Sequence, residues 1–136
     1  MTVSTQTSKK SHDGDGVTTS FAIPFMWLDD DDIKIYVVDA DNVETLKSVS
    51  DYTLAGVGEE TGGTVTCDTF VPASTERLVI VREMAPLQDI DYVTGGAFPA
   101  DAHEGALDRL TLLVQQYQEI LDRCLQLSQT SDGISV

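Results

Sequence analysis

Basic residues are scarce in this chain. Of its 136 residues, 8 are Lys or Arg and 23 are Asp or Glu, so the formal net charge is −15. Proteins that bind nucleic acid through phosphates need clustered Lys and Arg, and this composition argues against that class. It favours solubility, a basic partner or cations at the surface. The acidity is uneven, because most acids precede the segment 102–128, where the charges nearly balance.

Long apolar runs and cysteines are also few. No stretch approaches the roughly 18 consecutive apolar residues that span a bilayer, and residues 1–10 lack the apolar core of a secretory signal. We therefore expect no membrane partner, and a protein that stays in the cytoplasm where it is made unless a particle carries it elsewhere. The two cysteines, Cys67 and Cys124, have no metal-like spacing. We expect two buried thiols in preference to a disulfide.

Catalytic and metal-binding motifs are missing as well. The two histidines, His12 and His103, stand apart, and no nucleophile elbow, phosphate loop or zinc-protease motif occurs. We expect neither an enzyme nor a cofactor. The four consecutive acids from Asp29 to Asp32 could in principle bind calcium, but adjacent side chains diverge and the loop lacks calcium-site spacing. A solvated turn is the favoured interpretation.

What the sequence does contain is a series of short segments with period-two apolar alternation, typical of half-buried strands. Pro24 lacks an N–H and predicts that the first segment either lies at a sheet edge or ends there. The last is the most apolar and predicts a central strand. The fold class expected is α+β, a small antiparallel β-sandwich-like body followed by one long helix. The predicted strands are Ser20–Phe25, Ile33–Val38, Val43–Val49, Tyr52–Leu54, Thr64–Cys67 and Arg77–Arg82.

The period changes after Pro99. Asp101 and Glu104 have the spacing of a capping box and predict a helix over residues 101–128. Its apolar residues form a heptad a/d seam with a third apolar column beside it, wider than a strict coiled-coil stripe. We expect this helix to mediate self-association in preference to packing only on its own sheet. The seam residues are Leu107, Leu110, Val114, Tyr117, Leu121 and Cys124, and the third column is Leu113, Ile120 and Leu127.

These elements predict four regions. Residues 1–16 are expected to be a flexible arm, residues 17–98 a β-rich domain, residues 101–128 the oligomerisation helix and residues 129–136 a disordered tail. Three aromatic residues, Phe21, Phe25 and Trp27, could form a docking platform, although strand-spaced aromatics are more typical of a core. Trp27 has the wrong parity to share a strand face with the two phenylalanines and is the better candidate for a surface anchor.

An ordered set of short motifs resembles the N-terminal anchoring domain of tail-fibre and tailspike proteins from short-tailed, podovirus-type bacteriophages. The set spans nearly residues 13–125, and its pieces occur in the family's order. They are Asp13–Phe25, Trp27–Leu28, Asp32–Val37, Asp51–Leu54, Gly63–Thr66, Leu78–Glu83, Phe98–Glu104, Ala106–Leu110 and Gln115–Gln116.

The resemblance implies a homotrimer in the virion tail, with β-rich domains docked on the tail hub near adaptor and nozzle proteins. The helices would lead into a fibre or tailspike that recognises the host. A full fibre is much longer than 136 residues, so we expect either an adaptor to which a separate fibre attaches or a chain that occupies the fibre position in reduced form, and we favour the adaptor. The alternative from another class is an acidic DNA mimic that inhibits a basic partner. The resemblance also implies a core of Phe21, Phe25, Ile33, Ile35, Tyr52, Leu78 and Ile80.

Overall fold

The computed structural model describes residues 2–124, which form seven strands, one long α-helix and two short 3-10 helices at Asp30–Asp32 and Val49–Asp51. The α-helix, α1, spans Ala100–Asp122. The strands are β1 Lys9–Asp13, β2 Ser20–Ile23, β3 Ile33–Val38, β4 Glu44–Leu46, β5 Tyr52–Ala55, β6 Gly63–Cys67 and β7 Arg77–Arg82.

The strands form two antiparallel sheets, in the orders β1-β7-β3-β4 and β2-β6-β5. Because β7 lies between β1 and β3, the predicted central position of Arg77–Arg82 is confirmed. Strand β2 lies at an edge of its sheet and ends at Ile23, directly before Pro24, so both outcomes predicted from Pro24 occur. The expected α+β class, with a sandwich-like body followed by a long helix, is confirmed.

The core of the body lies between the two sheets and is built from alternate residues of the strands. Ile35 and Ile80 of the first sheet and Val65 of the second are fully buried. Burying such side chains contributes about 1.5–3 kcal/mol each to folding. The seven residues expected in the core from the resemblance are all buried.

Strand β1 corrects the expectation for the N-terminus, because the flexible arm predicted over residues 1–16 is wrong for residues 9–13. These residues pair with β7, with Lys9 opposite Val81 and Asp13 opposite Arg77. The N–H of Arg82 also donates to the carbonyl of Ser8 at 2.9 Å. A polar edge strand contributes backbone hydrogen bonds but no apolar side chains, so its sequence shows no hydrophobic period.

Several acidic residues stabilise the turns between strands. The Asp15 carboxylate accepts hydrogen bonds from the N–H groups of Val17 at 2.8 Å and Thr18 at 2.6 Å. Bonds from the Thr18 hydroxyl and backbone lower the pKa of Asp15 to about 2. The carboxylates of Asp29 and Asp39 accept backbone N–H bonds in the same way. Much of the acidity therefore belongs to local turn structure.

Helix α1 begins one residue earlier than predicted. Pro99 occupies the N-cap position with no side-chain cap, so the predicted capping box of Asp101 and Glu104 is wrong. Asp101 lies inside the first turn, where its negative charge still favours the helix dipole. With 23 residues the helix is about 35 Å long. Residues 125–128 of the predicted helix, with Leu127, and the predicted tail 129–136 lie outside the described residues.

Candidate assembly site on helix α1

One face of helix α1 packs on the β body through a second, smaller core. Leu112 is fully buried and Leu113 is nearly so, and both pack with Met84, which follows β7. Val3 and Leu28 cover this cluster from the side. A helix that buries two leucines gains only a few kcal/mol from apolar contact. Polar contacts must therefore contribute to its attachment.

The main polar contact is made by Arg82, the last residue of β7, which is 1% exposed. Its Nη1 donates to the Met26 carbonyl at 2.6 Å, and Nη2 donates to Gln115 Oε1 at 2.8 Å. Nη2 also reaches the Leu112 carbonyl at 3.5 Å, and the guanidinium carbon lies 5.5 Å from the centroid of the Phe25 ring. Burial lowers the pKa of Arg82 to about 10, so it is charged at neutral pH.

Two adjacent glutamines of α1 bind backbone segments on either side of it. Gln116 accepts from the Met84 N–H at 2.7 Å and donates to the Met84 carbonyl at 3.2 Å, as a neighbouring strand would. Gln115 donates to the Thr5 carbonyl at 2.7 Å. The glutamines satisfy backbone groups that have left the sheet, and they fix the helix against the N-terminal segment.

The C-terminal end of α1 carries an ion-pair cluster. Glu119 lies 2.6 Å from the Lys9 ammonium and 2.8 Å from Arg123 Nε, the i,i+4 partner predicted from the sequence. Burial alone would raise the pKa of Glu119, but hydrogen bonds from Arg123 and Lys9 outweigh it and lower the pKa. Such partly exposed pairs contribute less than about 1 kcal/mol. They orient the helix end relative to β1 more than they stabilise it.

A second segment, residues 85–98, runs beside α1. Arg109 fixes it, with Nε donating to the Leu87 carbonyl and Nη2 to the Ala85 carbonyl, both at 2.8 Å. Tyr92 Oη lies 3.0 Å from His103 Nδ1. Between this segment and α1 runs an open groove of about 500 Å³, which we call the α1 groove. Its apolar lining includes Pro86, Leu87, Ile90, Tyr92, Leu107, Leu110, Leu113, Val114 and Tyr117.

The predicted seam lies on the face of α1 that the body leaves uncovered. Its residues Leu107, Leu110, Val114, Tyr117 and Leu121 are between 47% and 62% exposed, and Cys124 is exposed as well. The intramolecular contact uses Leu113 of the neighbouring column instead. A continuous exposed apolar strip of this kind is typical of an interaction surface. Self-association of the helix remains a prediction, because the structure contains one chain.

The aromatic docking platform predicted from Phe21, Phe25 and Trp27 is wrong. Phe21 is 6% exposed and the other two side chains are fully buried, so they cannot reach a partner. The Trp27 indole N–H donates to Asp30 Oδ1 at 2.9 Å. The chain leaves strand geometry after Ile23, so the alternation that suggested a surface position for Trp27 does not apply there.

The predictions for the two cysteines are confirmed in part, and the prediction for the acidic run 29–32 agrees with the structure. Cys67 is buried and free, as predicted, but Cys124 is also free and is exposed, so that part of the prediction is wrong. Asp29 caps the 3-10 helix that contains the other three acids, which agrees with the turn interpretation.

Within residues 2–124 no group of three or more His, Cys, Asp or Glu side chains could hold a metal ion. No helix in the same range has the length and apolar content to cross a membrane.

Arg82 and the glutamines of α1 belong to no sequence pattern that predicts a role for their side chains. An arginine that ends a strand, and glutamines beside a heptad seam, are ordinarily interpreted as solvent-exposed residues. Strand alternation does predict that Arg82 points inward, because position 82 follows Leu78 and Ile80 at two-residue spacing. This signal predicts burial but does not identify the acceptors.

The chain is 37% identical over 127 residues to the tail spike protein of Salmonella phage epsilon15. The matched region is 93% of the chain and 12% of the length of that tail spike protein. No protein-family model matches the chain. The similarity confirms the resemblance to tail-fibre and tailspike proteins of short-tailed phages, over nearly the whole sequence.

The Arg82 network leads to a stability prediction. Arg82→Lys keeps the charge but cannot donate to Met26 and Gln115 at once, so we expect the free energy of unfolding to fall by about 2 kcal/mol. Arg77→Lys is the matched control, because it makes the same change at an exposed position of the same strand. Urea titrations of both variants measure the difference. Equal small losses in the two variants would show that the Arg82 fork does not fasten the helix.

Asp32 gives a prediction of pH dependence. Its side chain is 9% exposed, and burial raises its pKa, an effect opposed by the charge of Arg109. A raised pKa stabilises the fold below the unfolded value, about pH 4, and that contribution is lost as the pH rises through the folded value. The unfolding free energy of the wild type, minus that of Asp32→Asn, should therefore decrease between pH 3 and pH 7. A difference that grows with pH would contradict this assignment.

Proposed function

We propose that this chain is a structural component of a phage tail, made in the host cytoplasm and assembled into the virion. It docks on the tail hub and anchors host-recognition fibres or tailspikes, as a fibre root or a fibre adaptor. The observation that carries the proposal is the similarity to a tail spike protein along nearly the whole chain, including helix α1. The exposed seam supports the idea that this helix joins copies of the chain.

Self-association follows from the chemistry of the seam. Burying the exposed part of a seam leucine stabilises an assembly by about 1 kcal/mol, and the seam repeats this opportunity over several turns. We favour three copies, because the apolar surface formed by the seam and the α1 groove is wider than the two-column contact of a two-stranded coiled coil. A homotrimer also agrees with what the resemblance implies.

The β body is the part that we assign to docking on adaptor or nozzle proteins of the tail. Its strands are joined by acidic turns, and the net charge of −15 favours a partner with a basic surface. With α1 engaged by other copies, the acidic turns remain accessible. The proposal thus gives the body and the helix different partners.

The acidic DNA-mimic alternative has less support. Mimicry requires carboxylates in a regular array, whereas the carboxylates of Asp15, Asp29 and Asp39 are bonded to backbone N–H groups of their own turns. These carboxylates keep their charge, but separate turns set their positions, so they do not form the regular array that imitates phosphates. We therefore retain the tail function alone.

The proposal predicts the effect of a charge in the seam. Replacing Leu110 and Tyr117 with Asp should convert the assembled protein into monomers, because two carboxylates would be buried in an apolar contact. The matched control is Leu46→Asp, since Leu46 of β4 is 55% exposed and Leu110 is 60% exposed. Light scattering coupled to size-exclusion chromatography measures the mass of each variant.

Two results would count against the assembly. If the wild-type protein stays monomeric at high micromolar concentration, the seam does not mediate self-association. If the double variant keeps the mass of the wild-type assembly, the interface lies elsewhere. In phage particles the same double variant should reduce incorporation of the chain into tails. Normal incorporation of the double variant would show that docking on the tail does not require self-association through the seam.

A further inference from the structure

We infer that the α1 groove receives helix α1 of a neighbouring copy, so that each copy contributes a wall as well as a helix to the assembly. The wall is the segment 86–92. This inference rests on the proposed function, since it specifies how the copies meet.

The wall has a fixed position before any partner arrives. Arg109 binds the carbonyls of Ala85 and Leu87 at 2.8 Å, and Tyr92 lies 3.0 Å from His103, so side chains of α1 hold both parts of the segment. Leu87 is 60% exposed and Tyr92 is 42% exposed. The single chain therefore holds apolar groups on both sides of an open groove, which is the geometry of a helix-in-groove site.

The dimensions of the groove match the helix. Its α1 side runs from His103 to Tyr117, which corresponds to about 21 Å or four helical turns. The chain itself offers an element of that length with an apolar stripe, namely α1. A small apolar ligand could fill the groove, but it would leave the seam beyond the groove, at Leu121, in water. A helix covers both.

The low net charge of the α1 groove favours a second copy of the chain as its occupant. A chain of net charge −15 repels its copies wherever acids face outward. Along the groove, from His103 to Tyr117, the helix has two acids, Glu104 near its start and Asp108, which is 7% exposed. The groove lining adds Asp89, which Arg109 balances. The wall also carries Asp91, but the groove lining itself holds one acid and one arginine and is close to neutral. Two copies can thus meet here with less repulsion than elsewhere on the chain, whereas a basic partner would find little net complementary charge.

The arrangement is directional. The wall of one copy contacts the helix of the next, so the two surfaces differ, and a rotation closes such contacts into a ring. The wall would order the copies around the axis, and the seam would supply most of the contact at the axis.

The test compares side chains of the wall. Leu87→Ala with Ile90→Ala removes two groove-lining side chains, and Val93→Ala is the control, because Val93 belongs to the same segment and is 81% exposed but does not line the groove. Sedimentation equilibrium should show an association constant at least about tenfold lower for the double variant. The control should stay within about threefold of the wild type. Circular dichroism confirms folding, which truncation of such partly exposed residues should preserve.

The outcomes separate this inference from the proposed function. If the wall variant associates like the wild type while the Leu110 and Tyr117 aspartate variant is monomeric, the copies meet through the seam alone and the wall inference is overturned. An equal loss in the Val93 control would overturn it as well, because the effect would not belong to the groove. A wild type that never associates overturns both proposals.

Discussion

A buried guanidinium determines how the helix sits on the body. Arg82 ends the central strand at 1% exposure, where its charge has lost most of its hydration and must be hydrogen-bonded. One acceptor is the Met26 carbonyl of the body, and the others, Gln115 and the Leu112 carbonyl, belong to α1. If α1 rotated to hide its seam against the sheet, the guanidinium would lose its acceptors on the helix. The rotation that brings Gln115 and the Leu112 carbonyl to Nη2 of Arg82 is also the one that leaves Leu110 and Tyr117 in water, while Nε of Arg82 has no hydrogen-bond partner.

The helix therefore has two faces with different chemistry. The inner face is mainly polar and specific, with Gln116 bonded to both backbone groups of Met84 and only two leucines buried. The outer face is apolar and regular. Specific hydrogen bonds suit a contact that must form in every single chain, whereas a repeated apolar seam suits a contact between identical copies. The two proposals, a helical assembly and a wall that orders it, both depend on this division.

Much of the fold could be predicted from the sequence, for reasons that particular residues make clear. Ile33, Ile35 and Val37 alternate with more polar neighbours, so β3 follows from period two alone. Strand β1 could not be predicted in this way, because its residues contribute backbone bonds to β7 and no apolar face. The sequence predicts helix α1, but it does not predict which face of the helix packs on the β body. The inner face is built mainly from Leu112, Gln115 and Gln116, which lie outside the three apolar columns, so the apolar pattern does not identify it. The acceptors of Arg82 also come from positions distant in sequence.

The candidate site shows the same limit. The exposed seam matches the a/d register derived from the sequence, while the wall at 86–92 has no periodic signal and becomes visible only when Arg109 is seen to hold it. Strand alternation predicts the wrong position for Trp27, because the strand ends at Ile23, before that residue. Local pattern thus predicts elements and their faces, whereas long-range polar contacts decide which faces meet.

The most direct test of the proposed arrangement is a cryo-EM reconstruction of the tail of particles that carry this chain, at a resolution that shows side chains. We expect several copies of α1 around a common axis, with Leu110, Val114 and Tyr117 buried between copies and Arg82 bonded to the helix of its own chain. An α1 whose seam faces solvent, or turns inward onto its own sheets, would contradict this arrangement.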